Sequence, residues 1–268
     1  MSAPAVEVTV LPSGELRMPN AYAYRLHLDP GVMRAPCLAF ALRHPEAGTI
    51  LVDTGLHPDA HRSLRDDFGL PMSLTFATLR PTAEPFDAQL RGIGIEPEEV
   101  ERVVMTHLHV DHTSGMRLLP NARFACARDE WRAATGRGAG AKGFVAHHLP
   151  PEERMELVAF EEDGEPHGPF ARAIDLLGDG SIRLLSTPGH TPGHMSVLVR
   201  AADGAQVLLV GDAAYTMRNV EEQLLPLVTA DDSAYARSLR ELKAFAEAEP
   251  DATLVPSHDP DAWHDLAR

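Results

Sequence analysis

The sequence predicts an α/β fold in which two β-sheets pack face to face with helices on their outer surfaces. Three observations point there. Each half of the chain runs apolar strand segments first and helical segments after, and residues capable of chemistry fall at the strand ends. The 268 residues are enough to bury one sizeable core. No linker or low-complexity tract is long enough to divide the chain, so residues 1–268 are expected to form a single domain.

Val6–Leu11 and Tyr22–Leu28 alternate polar and apolar residues and read as strands. Leu38–Leu42 and Thr49–Val52 are apolar strands flanking the turn-rich His44-Pro45-Glu46-Ala47-Gly48. From Leu56 to Pro85 no period holds. Its prolines and scattered Leu70, Met72, Leu74 and Phe76 read as a lid or binding wall, or else as a subunit contact that would make a homodimer. Phe86–Ile93 reads as a short helix closed by glycines, and Val103–Met105 as a buried strand. Thr113-Ser114-Gly115 reads as the cap of a helix starting near Met116.

Pro120-Asn121 is a turn, Arg123–Ala127 a strand and Asp129–Ala134 a helical turn. His147-His148 lies in a Gly-rich loop and reads as surface rather than metal-binding; residues 152–173 are acidic and irregular. Strands return at Ala173–Leu177, Ser181–Ser186, Met195–Arg200 and Gln206–Val210. Residues 231–248 make the clearest helix, with Ala234, Leu239, Leu242, Phe245 and Ala246 near helical spacing. Thr253–Pro256 is the last strand.

Composition narrows the function classes. A formal net charge of -15 lacks the clustered Lys and Arg that nucleic-acid phosphates demand, so no nucleic-acid partner is expected. No apolar run approaches the roughly 20 residues of a membrane span. Met1–Ala5 shows neither a basic nor an apolar leader pattern, which makes a cytoplasmic location the expectation. Cys37 and Cys126 cannot build a disulfide framework and read as buried, inert thiols.

The chemistry concentrates in His107-Leu108-His109-Val110-Asp111-His112, three imidazoles and a carboxylate at the mouth of an apolar strand. That density exceeds what one open zinc site needs from a single loop. Three more strands end near His190, Asp212 and His258. Two metals need two sets of about three ligands and a shared group. The residues supply them: His107, His109 and His190 for one ion, Asp111, His112 and His258 for the other, and Asp212 between. On spacing alone His194 serves as well as His190. Asp53, at another strand exit, is either an orienting partner for a metal-binding histidine or a plain turn residue.

With these residues in place, the chain resembles the metallo-β-lactamase superfamily. The resemblance is carried by His107–His112, Thr187-Pro188-Gly189-His190, Gly211-Asp212 and Ser257-His258-Asp259, with Asp53-Thr54-Gly55 matching the strand-end Asp. It covers nearly the whole chain and implies the four-layer αβ/βα sandwich of two mixed sheets. It also implies that His190, not His194, binds metal. Within the superfamily the chain looks most like the N-acyl-homoserine lactone lactonases, on Gly211-Asp212-Ala213-Ala214-Tyr215, Ser257–Pro260, Leu118–Ala122 and overall length.

That second resemblance implies a quorum-quenching hydrolase with two divalent ions, zinc first, with cobalt, manganese or iron as alternatives. A metal-bridging hydroxide opens the lactone ring, Tyr215 donates to the carbonyl oxygen, and Asp111 moves a proton to the leaving oxygen. Leu70, Met72, Leu74, Phe76 and residues near 18–24 are candidates for the acyl pocket. The alternatives are an arylesterase or phosphotriesterase using the same centre, a glyoxalase II-like thioesterase, which only ten residues after His258 disfavour, and a metal-loaded protein without turnover.

Overall fold

The computed structural model describes residues 3–27, 30–201 and 204–267; Met1, Ser2 and Leu28 lie outside them. The chain opens with β1 (Glu7–Pro19), the single turn α1 (Asn20–Ala23), β2 (Val32–His44) and β3 (Gly48–Val52). Next come α2 (Pro58–Arg62), α3 (Leu64–Thr75), β4 (Arg80–Pro81), α4 (Phe86–Gly92) and β5 (Arg102–Val104). The middle holds α5 (Val110–Thr113), β6 (Arg123–Ala127), α6 (Arg128–Thr135), β7 (Met155–Val158) and α7 (Phe160–Asp163). Strands β8 (Glu165–His167), β9 (Phe170–Asp175), β10 (Ile182–Ser186), β11 (Met195–Arg200) and β12 (Gln206–Gly211) follow. The last elements are α8 (Met217–Glu222), α9 (Asp232–Ala248) and β13 (Thr253–Pro256).

Two mixed sheets result. One has the order β4-β1-β2-β3-β5-β6-β7, antiparallel through β3 and parallel from β3 to β7. The other has the order β13-β12-β11-β10-β9-β8, antiparallel except for the parallel β12–β13 pair.

Side chains that alternate along each strand divide between two apolar layers, because successive Cβ atoms leave opposite faces of a pleated sheet. In β2, Leu38, Phe40 and Leu42 enter the core between the sheets, while Ala39 and Ala41 face the outer helices. Val103 and Val104 split the same way. From the second sheet Leu184, Val197, Val207 and Leu209 fill the inner core. Leu185, Leu198 and Leu208 meet Leu239, Leu242 and Phe245 of α9 on the outside. Both faces of the central strands are therefore apolar, which explains why they read as nearly continuous hydrophobic runs. The layers are helix, sheet, sheet, helix.

Several expectations need correction. Tyr22–His27 is not a strand: β1 runs on to Pro19, α1 follows, and Arg25 N–H bonds the Leu225 carbonyl far along the chain. The buried pair there is Ala23 and Tyr24, adjacent residues rather than alternate ones, so the apparent period carried no sheet face. Residues 58–75 are not irregular but two helices, broken within α3 at Gly69, whose φ is 75°. Ser114–Leu118 forms only a 3₁₀ turn, not a longer helix. The acidic 152–173 stretch contains β7, α7 and β8. Both cysteines are free and buried. Among the described residues no helix is long and apolar enough to cross a membrane.

The inner core gives a stability prediction. Leu42 is fully buried, so Leu42→Ala should cost about 2–5 kcal/mol, from lost transfer energy plus the cavity left behind. Urea denaturation followed by circular dichroism checks it; an unchanged midpoint would contradict the packing described.

Candidate metal centre

The carboxyl ends of five strands converge on one edge of the sandwich. β3 leads to Asp53, β5 to His107–His112, β10 to His190, β12 to Asp212 and β13 to His258. Loops at strand ends carry chemistry here because the two sheets hold their starting points rigidly.

All seven predicted ligands come together and all but His109 are buried. The metal-facing atoms of His107, His109 and His190 lie within 4.8 Å of one another, as do those of Asp111, His112 and His258. Asp212 stands between the two sets. Its Oδ2 is 3.3 Å from His190 Nε2, 3.2 Å from His258 Nε2 and 3.9 Å from His107 Nε2. Its Oδ1 is 3.4 Å from His112 Nε2. Buried His107 Nε2, His112 Nε2 and Asp212 Oδ1 have no hydrogen-bond partner among the described residues. A buried polar atom without a partner is costly, and three aimed into one space fit a group that accepts their lone pairs. Imidazoles and carboxylates are the donor set that zinc and related divalent ions take.

The far nitrogens of His112 and His258 are held from behind, which fixes those two rings. Asp53 bonds His112 Nδ1 at 2.8 Å and also takes the N–H and hydroxyl of Thr106, both at 2.7 Å. Asp53 is thus an orienting partner rather than a plain turn residue. His258 Nδ1 donates to the Pro36 carbonyl at 2.8 Å.

His194 points elsewhere. Its Nε2 accepts the Asp212 N–H at 2.9 Å, so its Nδ1 carries the proton and bonds Thr187 Oγ1 at 2.9 Å. Neither nitrogen is left for a metal. Burial pushes this imidazole down to about 3, consistent with a neutral ring that braces the Asp212 backbone.

Two glycines set the His190 loop. A side chain on Gly189, whose φ is 136°, would place its Cβ 2.2 Å from the Tyr235 nitrogen at the start of α9. One on Gly193 would come within 2.2 Å of the Glu130 nitrogen. That second contact brings in a residue sequence reasoning missed. Glu130 is fully buried, and its carboxyl accepts Leu108 N–H at 2.9 Å and Gly193 N–H at 3.1 Å. It ties the His107–His112 loop to the His190 loop. Burial pushes its acid up to about 7, against the pull of those two N–H groups. An acidic residue in the first turn of a helix ordinarily reads as solvent-facing, so no local signal marks it.

Tyr215 is buried beside the centre, its ring 5.6 Å from that of His190 and 5.3 Å from that of His258. It packs with Ala23 and Tyr24, and Tyr22 closes over the same cluster. That wall is fastened to the chain after Tyr215: Tyr24 Oη meets Thr216 Oγ1 at 2.9 Å, and Asn219 Nδ2 donates to the Ala23 carbonyl at 2.8 Å. Burial first, then the charge of Asp212, pushes the Tyr215 phenol well above its usual range. It remains a proton donor at any ordinary pH.

The two triads differ in proton content. Burial holds His107, His109 and His190 below the usual imidazole range, and His190 Nε2 and His109 Nδ1 share a hydrogen bond at 2.9 Å. For His112 burial acts downward too, but Asp53, Asp111 and Asp212 outweigh it and raise the group well above 6.5. His258 is raised by Asp212 and Asp111 against the same burial. The Asp212 acid is held well below 3.8, despite burial, by His258, His190 and His112.

Metal uptake should therefore release protons, because the raised His112 and His258 must give up Nε2 protons before they can take an ion. The sign follows. Metal affinity weakens as pH falls, whereas the metal-free protein loses the stabilisation of its raised histidines as pH rises through their folded pKa values. Zinc titration in a weak buffer with a pH indicator checks this; uptake without proton release would contradict the protonation described.

A family model described as the metallo-beta-lactamase superfamily matches residues 33–258. The N-acyl homoserine lactonase AttM of Agrobacterium fabrum is 33% identical over 230 residues, 85% of this chain and 83% of that protein. AttM of Azorhizobium caulinodans is 33% identical over 261 residues, 96% of this chain and 95% of that protein. A solved structure of an N-acyl homoserine lactone hydrolase, with N-hexanoyl-L-homoserine at its catalytic metal center, superimposes with a TM-score of 0.77. The match covers 99% of this chain and 97% of that one at 23% identity, a likeness of fold.

Proposed function

Because the chain belongs to the metallo-beta-lactamase superfamily, we propose that it is a dinuclear metal-dependent hydrolase that opens the lactone ring of N-acyl-homoserine lactones. The observation that carries the reading is the pair of three-residue sets either side of Asp212, with unpartnered donor atoms aimed between them. The substrate class comes from the AttM relatives, which are lactonases.

His107, His109 and His190 would hold one ion, and Asp111, His112 and His258 the other, with Asp212 available to both. Two divalent ions, zinc by donor type, would supply an acidified water and polarise the lactone carbonyl.

The protein's own groups do the rest. Tyr215, kept protonated by burial, donates a hydrogen bond to the carbonyl oxygen as negative charge builds there. Its ring lies beside those of His190 and His258, which supports this role. Asp111 is the less buried of the two central carboxylates, with Oδ2 3.7 Å from His258 Nε2 and 3.8 Å from His112 Nε2. It takes the proton lost by the attacking water and returns it to the ring oxygen as the C–O bond breaks, giving the N-acyl-homoserine. Tyr22, Ala23 and Tyr24 pack against Tyr215, and that apolar cover would keep bulk water from the carbonyl.

The test is hydrolysis of butanoyl, octanoyl and dodecanoyl homoserine lactones beside paraoxon and an aryl acetate, with metal content measured on the same sample. Lactone turnover at least about tenfold above the others is expected. Comparable or better turnover of the phosphotriester or aryl ester would move the substrate class while leaving the centre in place.

Tyr215→Phe should keep both ions and lower kcat about 100- to 1,000-fold, the cost of removing one donor to a developing oxyanion. An unchanged kcat would remove Tyr215 from the reaction.

A further inference from the structure

A second group of titratable side chains lies beside the centre: His57, Asp59, Asp67, Arg117, His147 and His148. Two triads within it, Asp67/His147/His148 and His57/Asp59/Asp67, are spaced closely enough to hold a metal. The hydrogen bonds argue otherwise. Asp67 is fully buried, and its carboxylate is already taken by the Arg117 guanidinium and the Ser114 hydroxyl. The guanidinium fills the place of a cation. His148 is not the surface residue its loop suggests; it is buried, with Nε2 on the Asp67 carbonyl at 2.9 Å and Nδ1 on Thr113 Oγ1 at 3.0 Å. Both nitrogens are used.

The group instead joins two segments. Thr113 and Ser114 directly follow the ligands Asp111 and His112, and Thr113 Oγ1 bonds the His109 carbonyl at 3.1 Å. On the other side Asp67 sits in α3, and His57, at the head of α2, gives its N–H to Ser114 Oγ at 2.8 Å. The segment so tied carries Phe68, Met72 and Phe76, which pack with Cys37 and Val110 against the ligand loop.

We infer that Asp67 is a positioning residue that straps the α2–α3 wall to the metal-ligand loop, so that loading the centre and ordering the wall are one linked event. A buried carboxylate is tolerated only while its partners are in place, and those partners stand on the loop that the ligands anchor. Whatever immobilises His109 and His112 therefore also stabilises the wall, and the reverse holds by linkage. This rests on the metal reading above but not on the lactone.

Hydrogen exchange read by mass spectrometry, with and without zinc, tests it. In the unmodified protein zinc should slow exchange about tenfold both in residues 107–118 and in residues 57–76. In Asp67→Asn the protection of 107–118 should persist while the zinc-induced change in 57–76 disappears. A merely structural Asp67 would shift exchange equally with and without zinc, leaving that difference intact, and this result would overturn the inference. So would a wall in the unmodified protein that ignores zinc. If Asp67→Asn does not fold, Ser114→Ala removes two bonds of the strap, to Asp67 and from the His57 N–H, while leaving Arg117 on Asp67, and should show the same selective loss; an unchanged difference there also overturns it. Absence of any zinc protection in 107–118 would overturn the metal reading and the inference together, whereas failure of lactone hydrolysis touches neither.

Discussion

The structure depends on one buried carboxylate surrounded by imidazoles. Asp212 lies within 4 Å of His107, His112, His190 and His258, which arrive from three separate strand ends. Such a cluster is expensive in a protein interior, since every donor atom aimed at it must be met by a proton, a cation or a partner. Asp212 and its neighbouring carboxylates raise His112 and His258, which favours protons there. The remaining unpartnered atoms define where divalent ions fit, and metal binding becomes an exchange of protons for metal.

Holding that cluster open requires rigidity behind it. Asp53 and the Pro36 carbonyl grip the outer nitrogens of His112 and His258, while His194 and the Tyr235 hydroxyl bond the Asp212 backbone. Glu130 joins the two histidine loops, and the Ser114–Asp67–Arg117 strap fastens the wall. None of these groups faces the proposed substrate. Their work is to keep several ångström-scale spacings constant, which positioning of ligands and of a near-attack water demands.

Much of the fold was legible because strand periodicity and strand-end polarity are local. The continuous apolar run Leu38–Leu42 and the spacing of Leu239, Leu242 and Phe245 each report burial directly. Failures came where burial followed a distant contact. Residues 20–27 follow the 224–227 segment through backbone bonds, and α2 and α3 are held by Ser114 and Arg117 rather than by a clean amphipathic pattern. His148 looked solvated because its partners, Asp67 and Thr113, lie 81 and 35 residues away.

By itself the sequence determined which residue types stand at which strand ends, and hence that seven His and Asp side chains were available for two ions. It also carried the resemblance that chose His190. Only the tertiary structure decided how the nitrogens of each ring are used. His190 turns Nε2 toward Asp212 and His109, whereas His194 spends both nitrogens on Thr187 and the Asp212 N–H. The reason is physical. An imidazole's role depends on what meets its second nitrogen, and that partner is set by the packing of two sheets rather than by neighbours in the chain.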